Sequence, residues 1–208
     1  MDCPLCFNES SLFDSNTFSC SNCSLIFKDS ILHLSSDEEF IRYGHHQNSS
    51  DDQGYLDFLN KLLMPLKTFL PSDFVGIDFG CGPGPTLSSL LEECGGEVSF
   101  YDPHFYPDAQ TLIPDFYDVV TCTEVVEHFK NPSHDWEILM GLAKEGGLIA
   151  IMTQIFNKNL KDYSTWWYKN DPTHVVFYQK ESIYYISEKY ACDLVYFDEK
   201  SVAIFKKR

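Results

Sequence analysis

Three groups of residues in this chain of 208 have types and spacings suited to chemistry. Cys3-Pro4-Leu5-Cys6 and, after thirteen residues, Cys20-Ser21-Asn22-Cys23 form two Cys-x-x-Cys knuckles. At that separation four thiolates can surround Zn²⁺ tetrahedrally, and a shell closed by four sulfurs leaves the metal a structural role. A redox dithiol is the alternative. The second group is Gly80-Cys81-Gly82-Pro83-Gly84, which follows an apolar run from Val75 to Phe79 broken only by Asp78. Pro85 to Cys94 comes next, with Leu87, Leu90 and Leu91 on one helical face. A strand, a glycine turn and a helix N-terminus let backbone N–H groups approach a ligand closely. The third group is acidic and imidazole-bearing: Thr123-Glu124 with His128, and Asp171-Pro172-Thr173-His174. Histidine titrates near neutrality, so His128 or His174 can serve as a general base. For either one, a structural histidine is the alternative.

The glycine spacing is Gly-x-Gly-x-Gly, and Pro85 falls where the dinucleotide fingerprint needs glycine or alanine. The stretch resembles motif I of the class I S-adenosylmethionine (SAM) dependent methyltransferases, with Asp78 as the acid that orders the turn. Three further stretches match that family in order. Glu97 to Tyr101 reads as the second strand and ends at Asp102, whose carboxylate can accept both hydroxyl protons of a ribose. That position suits SAM and NAD equally. Tyr117-Asp118 followed by Val119 to Cys122 resembles the fourth strand, which would bring Thr123 and Glu124 beside the methionine part of SAM and His128 near the methyl group. Gly146-Gly147 then opens the fifth strand, Leu148 to Thr153. By the same resemblance, Tyr43 and His46 would fold over the methionine end, a surface loop being the alternative. The resemblance implies cofactor contacts from Gly80, Gly82, Gly84 and Asp102. It leaves adenine to Asp108 or Asp115, since Pro103 to Pro114 holds three prolines and no good strand.

Several elements must position these groups. Asp52 to Leu70 has apolar residues at helical period, with Asp52 as cap and Pro65 as a kink or stop. Asn131-Pro132-Ser133 starts another helix, and Lys180 to Tyr190 forms a third. Tyr185 and Lys189 there match the Tyr-x-x-x-Lys spacing of short-chain dehydrogenases, but no suitably placed serine precedes them, and a surface i,i+4 pair explains them. Cys192 to Asp198 and Ser201 to Lys206 read as two last strands. The expected architecture is α/β: a Rossmann-like, doubly wound, seven-stranded sheet, mostly parallel, with an antiparallel C-terminal strand. A zinc ribbon over residues 1–28 precedes a methyltransferase domain over 29–208. Aromatic residues 154–179, including Trp166, Trp167 and Tyr168, build a substrate pocket. Phe7, Leu25, Ile26 and Phe27 supply the ribbon's small core.

Composition narrows the partners. Fifteen basic residues against 31 acidic ones give a formal net charge of −16, which argues against large RNA or DNA as substrate. No apolar run approaches the ~18 residues of a membrane span. Met1-Asp2-Cys3-Pro4 does not begin a signal peptide, so a cytoplasmic location is expected. The expected reaction is methyl transfer to a small-molecule or lipid-like acceptor, at oxygen or carbon. The alternatives are a non-catalytic module of the same fold that holds a protein partner through the ribbon, and an NAD-linked oxidoreductase.

Overall fold

The chain builds a small sheet first and a large one around the glycine turn. The computed structural model describes residues 1–44, 51–157 and 160–208. Strands β1 (Ser10–Asp14) and β2 (Thr17–Cys20) form a hairpin through Asn16, which takes the left-handed conformation that asparagine tolerates. Strand β3 (Ile26–Lys28) pairs with β2. Helix α1 (Ser36–Tyr43) opens with a reciprocal capping box between Ser35 and Glu38. Helix α2 (Gln53–Lys67) is capped by the Asp52 carboxylate, which accepts from the Gly54 and Tyr55 amides. Pro65 sits in its last turn, and the helix ends two residues later.

The larger sheet begins with β4 (Phe74–Phe79), which leads through the glycine turn into α3 (Thr86–Glu92) and then β5 (Gly96–Tyr101). Next come β6 (Tyr117–Thr123), α4 (Pro132–Leu142), β7 (Ala143–Met152), and the short α5 (Leu160–Thr165) and β8 (Val176–Phe177). Helix α6 (Lys180–Lys189), β9 (Cys192–Phe197) and β10 (Val202–Lys207) complete the chain. The sheet order is β5-β4-β6-β7-β10-β9. Pairings from β5 to β7 are parallel, and β10 inserts antiparallel between β7 and β9.

Both faces of this sheet are covered, which is why its central strands are apolar on successive residues and not alternate ones. Leu59, Leu62, Leu63 and Leu66 of α2 and Leu87 and Leu91 of α3 pack on Val119, Ala150 and Ile204. On the opposite face, Trp136 and Leu139 of α4 and Ile183 and Ile186 of α6 pack on Val120, Ile149 and Phe205.

Two expectations need correction. The seventh strand is absent among the described residues. Pro103, Pro107 and Pro114 deny the segment after β5 a strand's amide donors, and it forms a bridge between Asp102 and Tyr106 and one 3₁₀ turn at Ala109–Thr111 instead. β5 is therefore the edge. Phe7 is not part of the ribbon core: its backbone turns left-handed (φ 60°) and its ring is exposed, whereas Leu25, Ile26 and Phe27 are buried as expected. His46 lies outside the described residues.

The ribbon does not stand alone. β3 pairs with β8 through Ile26–Phe177 and Phe27–Val176, so the small sheet runs β1-β2-β3-β8 and takes its last strand from the aromatic segment after β7. Ile26, Phe156, Tyr163, Tyr168 and Phe177 form a buried cluster beneath it. Lys189 of α6 donates to the Leu5 carbonyl (2.7 Å), which ties the first knuckle to the main body and gives that lysine a task beyond a surface pair. Phe177→Ala removes the central ring of this junction and should cost about 3–5 kcal/mol. Urea unfolding measures it, and a loss under about 1 kcal/mol would contradict the packing described.

Candidate active site

The turn after β4 is shaped by backbone constraints. Gly80 and Gly82 both adopt positive φ, at 77° and 66°. A Cβ on Gly80 would collide with the Val125 side chain, so the loop after β6 presses against the turn. The Asp102 carboxylate holds it from the other side. One oxygen accepts from the Gly82 amide (3.0 Å), and the other from the His104 and Phe105 amides (2.8 and 3.1 Å). Beneath lies Asp78, 4% exposed, accepting from the Thr121 hydroxyl (2.8 Å). Burial pushes its carboxyl up to about 6, against the Thr121 bond.

Over the C-terminal ends of these strands lies a cavity of about 680 Å³. Gly80, Gly82, Asp102, Thr123, Glu124, Tyr43, His128 and His174 all line it. Gly84 and Asp78 do not; Asp78 supports the turn from below. Asp108 and Asp115 are also elsewhere, the first capping a 3₁₀ turn and the second paired with Lys207 (2.6 Å). Leu112, Tyr101, Pro103 and Phe105 line the cavity in their place.

The far end of the cavity is polar and buried. Glu124 turns the chain out of β6 with φ 53°, a strained conformation for a non-glycine residue, held by its amide bond to the Met152 carbonyl (2.7 Å). The buried Thr123 Oγ1 and Glu124 Oε1 have no hydrogen-bond partner among the described residues. Burial, and then the charge of Glu127, push the Glu124 carboxyl up to about 9. The Tyr168 hydroxyl donates to Glu127 (2.6 Å) and lies 3.2 Å from Glu124. His128 Nδ1 lies 2.9 Å from the Thr173 carbonyl, and His174 Nδ1 lies 2.8 Å from the Tyr168 carbonyl. Burial holds His174 neutral, down to about 4.

The loop carrying His174 is fixed from three directions. The Val175 amide donates to the Glu127 carbonyl (2.9 Å) and thereby joins the two histidine-bearing turns. Arg42 of α1 makes a two-pronged bond to the Asp171 carboxylate (3.0 and 2.6 Å). Lys28 of β3 donates to the Asp171 carbonyl (3.0 Å). Burial works against ionisation at Asp171, but the bonds from Arg42 and Thr173 prevail and hold its carboxyl well below the usual range. Tyr43 closes α1 over His128, with its hydroxyl 3.2 Å from Nδ1. Sequence reasoning left Glu127 out of the site; the Glu-x-x-Glu-His spacing from Glu124 was the available signal.

At the ribbon, Cys3 and Cys23 sulfurs lie 3.5 Å apart and those of Cys6 and Cys20 3.4 Å apart. All four are free thiols and lie within 4.8 Å of one another. A tetrahedral Zn–S bond of about 2.3 Å sets sulfurs roughly 3.8 Å apart, which this arrangement brackets.

Asp78 supplies a pH test of the supporting layer. Its folded pKa lies above the unfolded value, so its contribution to stability is full below about 4 and is lost as pH rises through about 6. Asp78→Asn keeps an acceptor for Thr121 but does not ionise. Relative to wild type it should gain on the order of 2 kcal/mol between pH 4 and pH 7 in urea unfolding. A difference that does not vary with pH would contradict the buried carboxylate.

Comparison with known proteins bears on this arrangement. A ubiquinone biosynthesis O-methyltransferase of Aeromonas salmonicida is 36% identical over 89 residues, which are 42% of this chain and 36% of that protein. The chain thus matches less than half the length of such relatives. A Burkholderia thailandensis 1,6-didemethyltoxoflavin-N1-methyltransferase, solved with its substrate and S-adenosylhomocysteine bound, superposes with a TM-score of 0.58 at 12% identity. The superposition covers 96% of this chain and 99% of that one. A Pyrococcus horikoshii protein gives 0.59 at 14% identity over 81% of this chain and 99% of its own. These two likenesses show the Rossmann-like fold. A family model described as a methyltransferase domain matches residues 43–196, taking in the glycine turn, Asp102 and both histidine-bearing loops. A match over that much of the chain makes this protein a member of the methyltransferase domain family.

Proposed function

We propose that the chain transfers a methyl group from SAM to a small-molecule or lipid-like acceptor, at oxygen or carbon. The observation that carries this reading is convergence. The glycine turn and Asp102 open onto the same cavity as Glu124, His128 and His174, so a cofactor lying along the turn would reach the histidines. Fit to the cofactor rests on two features of the site. The turn at Gly80 has no room for a side chain, and the buried Thr123 Oγ1 and Glu124 Oε1 at the cavity wall have no partner among the described residues. A bound amino-acid moiety would satisfy such atoms. The Burkholderia thailandensis relative, crystallised with S-adenosylhomocysteine, supports the same cofactor.

When bound, SAM would supply a sulfonium methyl that an acceptor takes by in-line attack, with the thioether as leaving group. The protein's share is alignment and proton handling. Asp102 Oδ2 accepts one amide and so retains a lone pair for a ribose hydroxyl while it fixes the Gly82 amide. Each histidine gives its Nδ1 proton to a backbone carbonyl, so Nε2 keeps a lone pair that can take an acceptor's proton. Tyr43, Trp167 and Phe129 give the acceptor end an apolar wall, in keeping with the O-methyltransferase relatives. The four ribbon thiols hold a structural zinc, and β8 links that ribbon to the loop of His174.

Calorimetric titration tests the cofactor. Wild type should bind SAM and S-adenosylhomocysteine, and Asp102→Asn should weaken both at least tenfold, about 1.4 kcal/mol. Binding of NAD in their place would contradict the reading. In assays with phenolic acceptors, His174→Gln should lower kcat while leaving the affinity for S-adenosylhomocysteine within about twofold of wild type.

A further inference from the structure

His128 and His174 line the cavity, and together with the buried Glu127 each offers one ligand atom within 4.8 Å of the other two. Their surroundings are those of metal ligands. A carbonyl only accepts, so the Thr173 and Tyr168 carbonyls fix a proton on Nδ1 of His128 and His174 respectively and leave both Nε2 lone pairs uncommitted. Ligating histidines almost always have their second nitrogen held in this way, because it sets tautomer and ring orientation. The two rings lie 4.8 Å apart at an interplanar angle of 70°.

Glu127 supplies the second, independent observation. Its side chain is fully buried, its Oε1 accepts from the Tyr168 hydroxyl, and its Oε2 has no partner among the described residues. A buried carboxylate oxygen left unpaired is costly. No lysine or arginine among the described residues forms an ion pair with Glu127. His128 Nε2 lies 3.9 Å from Oε1 of the same carboxylate.

We infer that Glu127, His128 and His174 form a two-histidine, one-carboxylate site for a divalent first-row transition ion, open toward the acceptor. Two imidazoles favour such an ion over Mg²⁺, which takes oxygen ligands. Ligation at about 2.0–2.2 Å requires the three groups to draw together by about an ångström. The charges balance: one ion, the Glu127 carboxylate and an acceptor oxygen that has given its proton to solvent sum to zero. The task of the ion rests on the methyl-transfer reading and takes the place of a histidine base in it, since a ligated Nε2 has no lone pair left for a proton. The ion would bind an acceptor hydroxyl and lower its pKa, so that the oxygen pair forms the bond to the methyl carbon as the carbon–sulfur pair returns to sulfur. The acceptors implied are therefore hydroxyl compounds, phenols and enols among them.

Mn²⁺ titration followed by electron paramagnetic resonance tests the site on the full chain. Four thiolates favour soft ions, so Mn²⁺ reports the nitrogen–oxygen site and spares the ribbon. Wild type should bind one Mn²⁺ per chain, and Glu127→Gln and His174→Gln should each weaken it at least tenfold. Affinity for S-adenosylhomocysteine shows whether each variant is folded. Zn²⁺ should likewise exceed the ribbon's stoichiometry by one in wild type and not in either variant. Absence of both ions from this site at millimolar concentration, or equal binding by folded variants, would overturn the inference. Ion binding without S-adenosylhomocysteine binding would uphold the site and count only against the methyl-transfer reading.

Discussion

The carboxylate of Asp102 bears the arrangement that the rest of the site depends on. It stands at the end of β5 and accepts from one amide of the glycine turn and from two amides of the next loop. A charged acceptor shared among three backbone donors fixes two segments that have no regular hydrogen bonding of their own. With Val125 packed against Gly80, it sets the width of the cavity mouth. The parallel strands contribute by delivering all these groups to the same edge of the sheet. Ligands in open α/β sheets bind at that carboxyl edge.

The second dependence runs through the ribbon. β3 donates Lys28 to the Asp171 carbonyl and pairs with β8, so the loop carrying His174 is held by the cysteine-bearing sheet on one side. Arg42 of α1 holds the same loop through the Asp171 carboxylate. The sheet whose strand β2 ends at Cys20 takes in β8, which begins two residues after His174, so the cysteine-bearing segment and the loop of His174 are joined through one sheet.

Much of this was legible in the sequence because it is locally encoded. An apolar run broken by one acid, then three glycines, then leucines at helical period specify β4, the turn and α3 without help from distant residues. The strand missing after β5 was foreshadowed by its prolines. The β3–β8 pairing was not legible: two residues pairing with partners some 150 positions away leave no periodic trace. Phe7 looked like core by type, but its left-handed backbone turns it outward. Glu127 escaped notice because its significance is its burial. A glutamate beside a histidine is ordinary in a chain with 31 acidic residues, and only the fold removes this one from water. Lys189, paired by spacing with Tyr185, binds the Leu5 carbonyl instead.

The central claim is that the cavity holds the methyl donor with its ribose at Asp102 and its amino-acid end toward Thr123 and Glu124. The most direct measurement is a crystal structure of the chain with S-adenosylhomocysteine. The account predicts a ribose hydroxyl within hydrogen-bond distance of Asp102 Oδ2. It also predicts the thioether sulfur on the side of the cavity that faces His128 and His174. A ligand bound elsewhere, or lying with its adenosine toward the histidines, would contradict it.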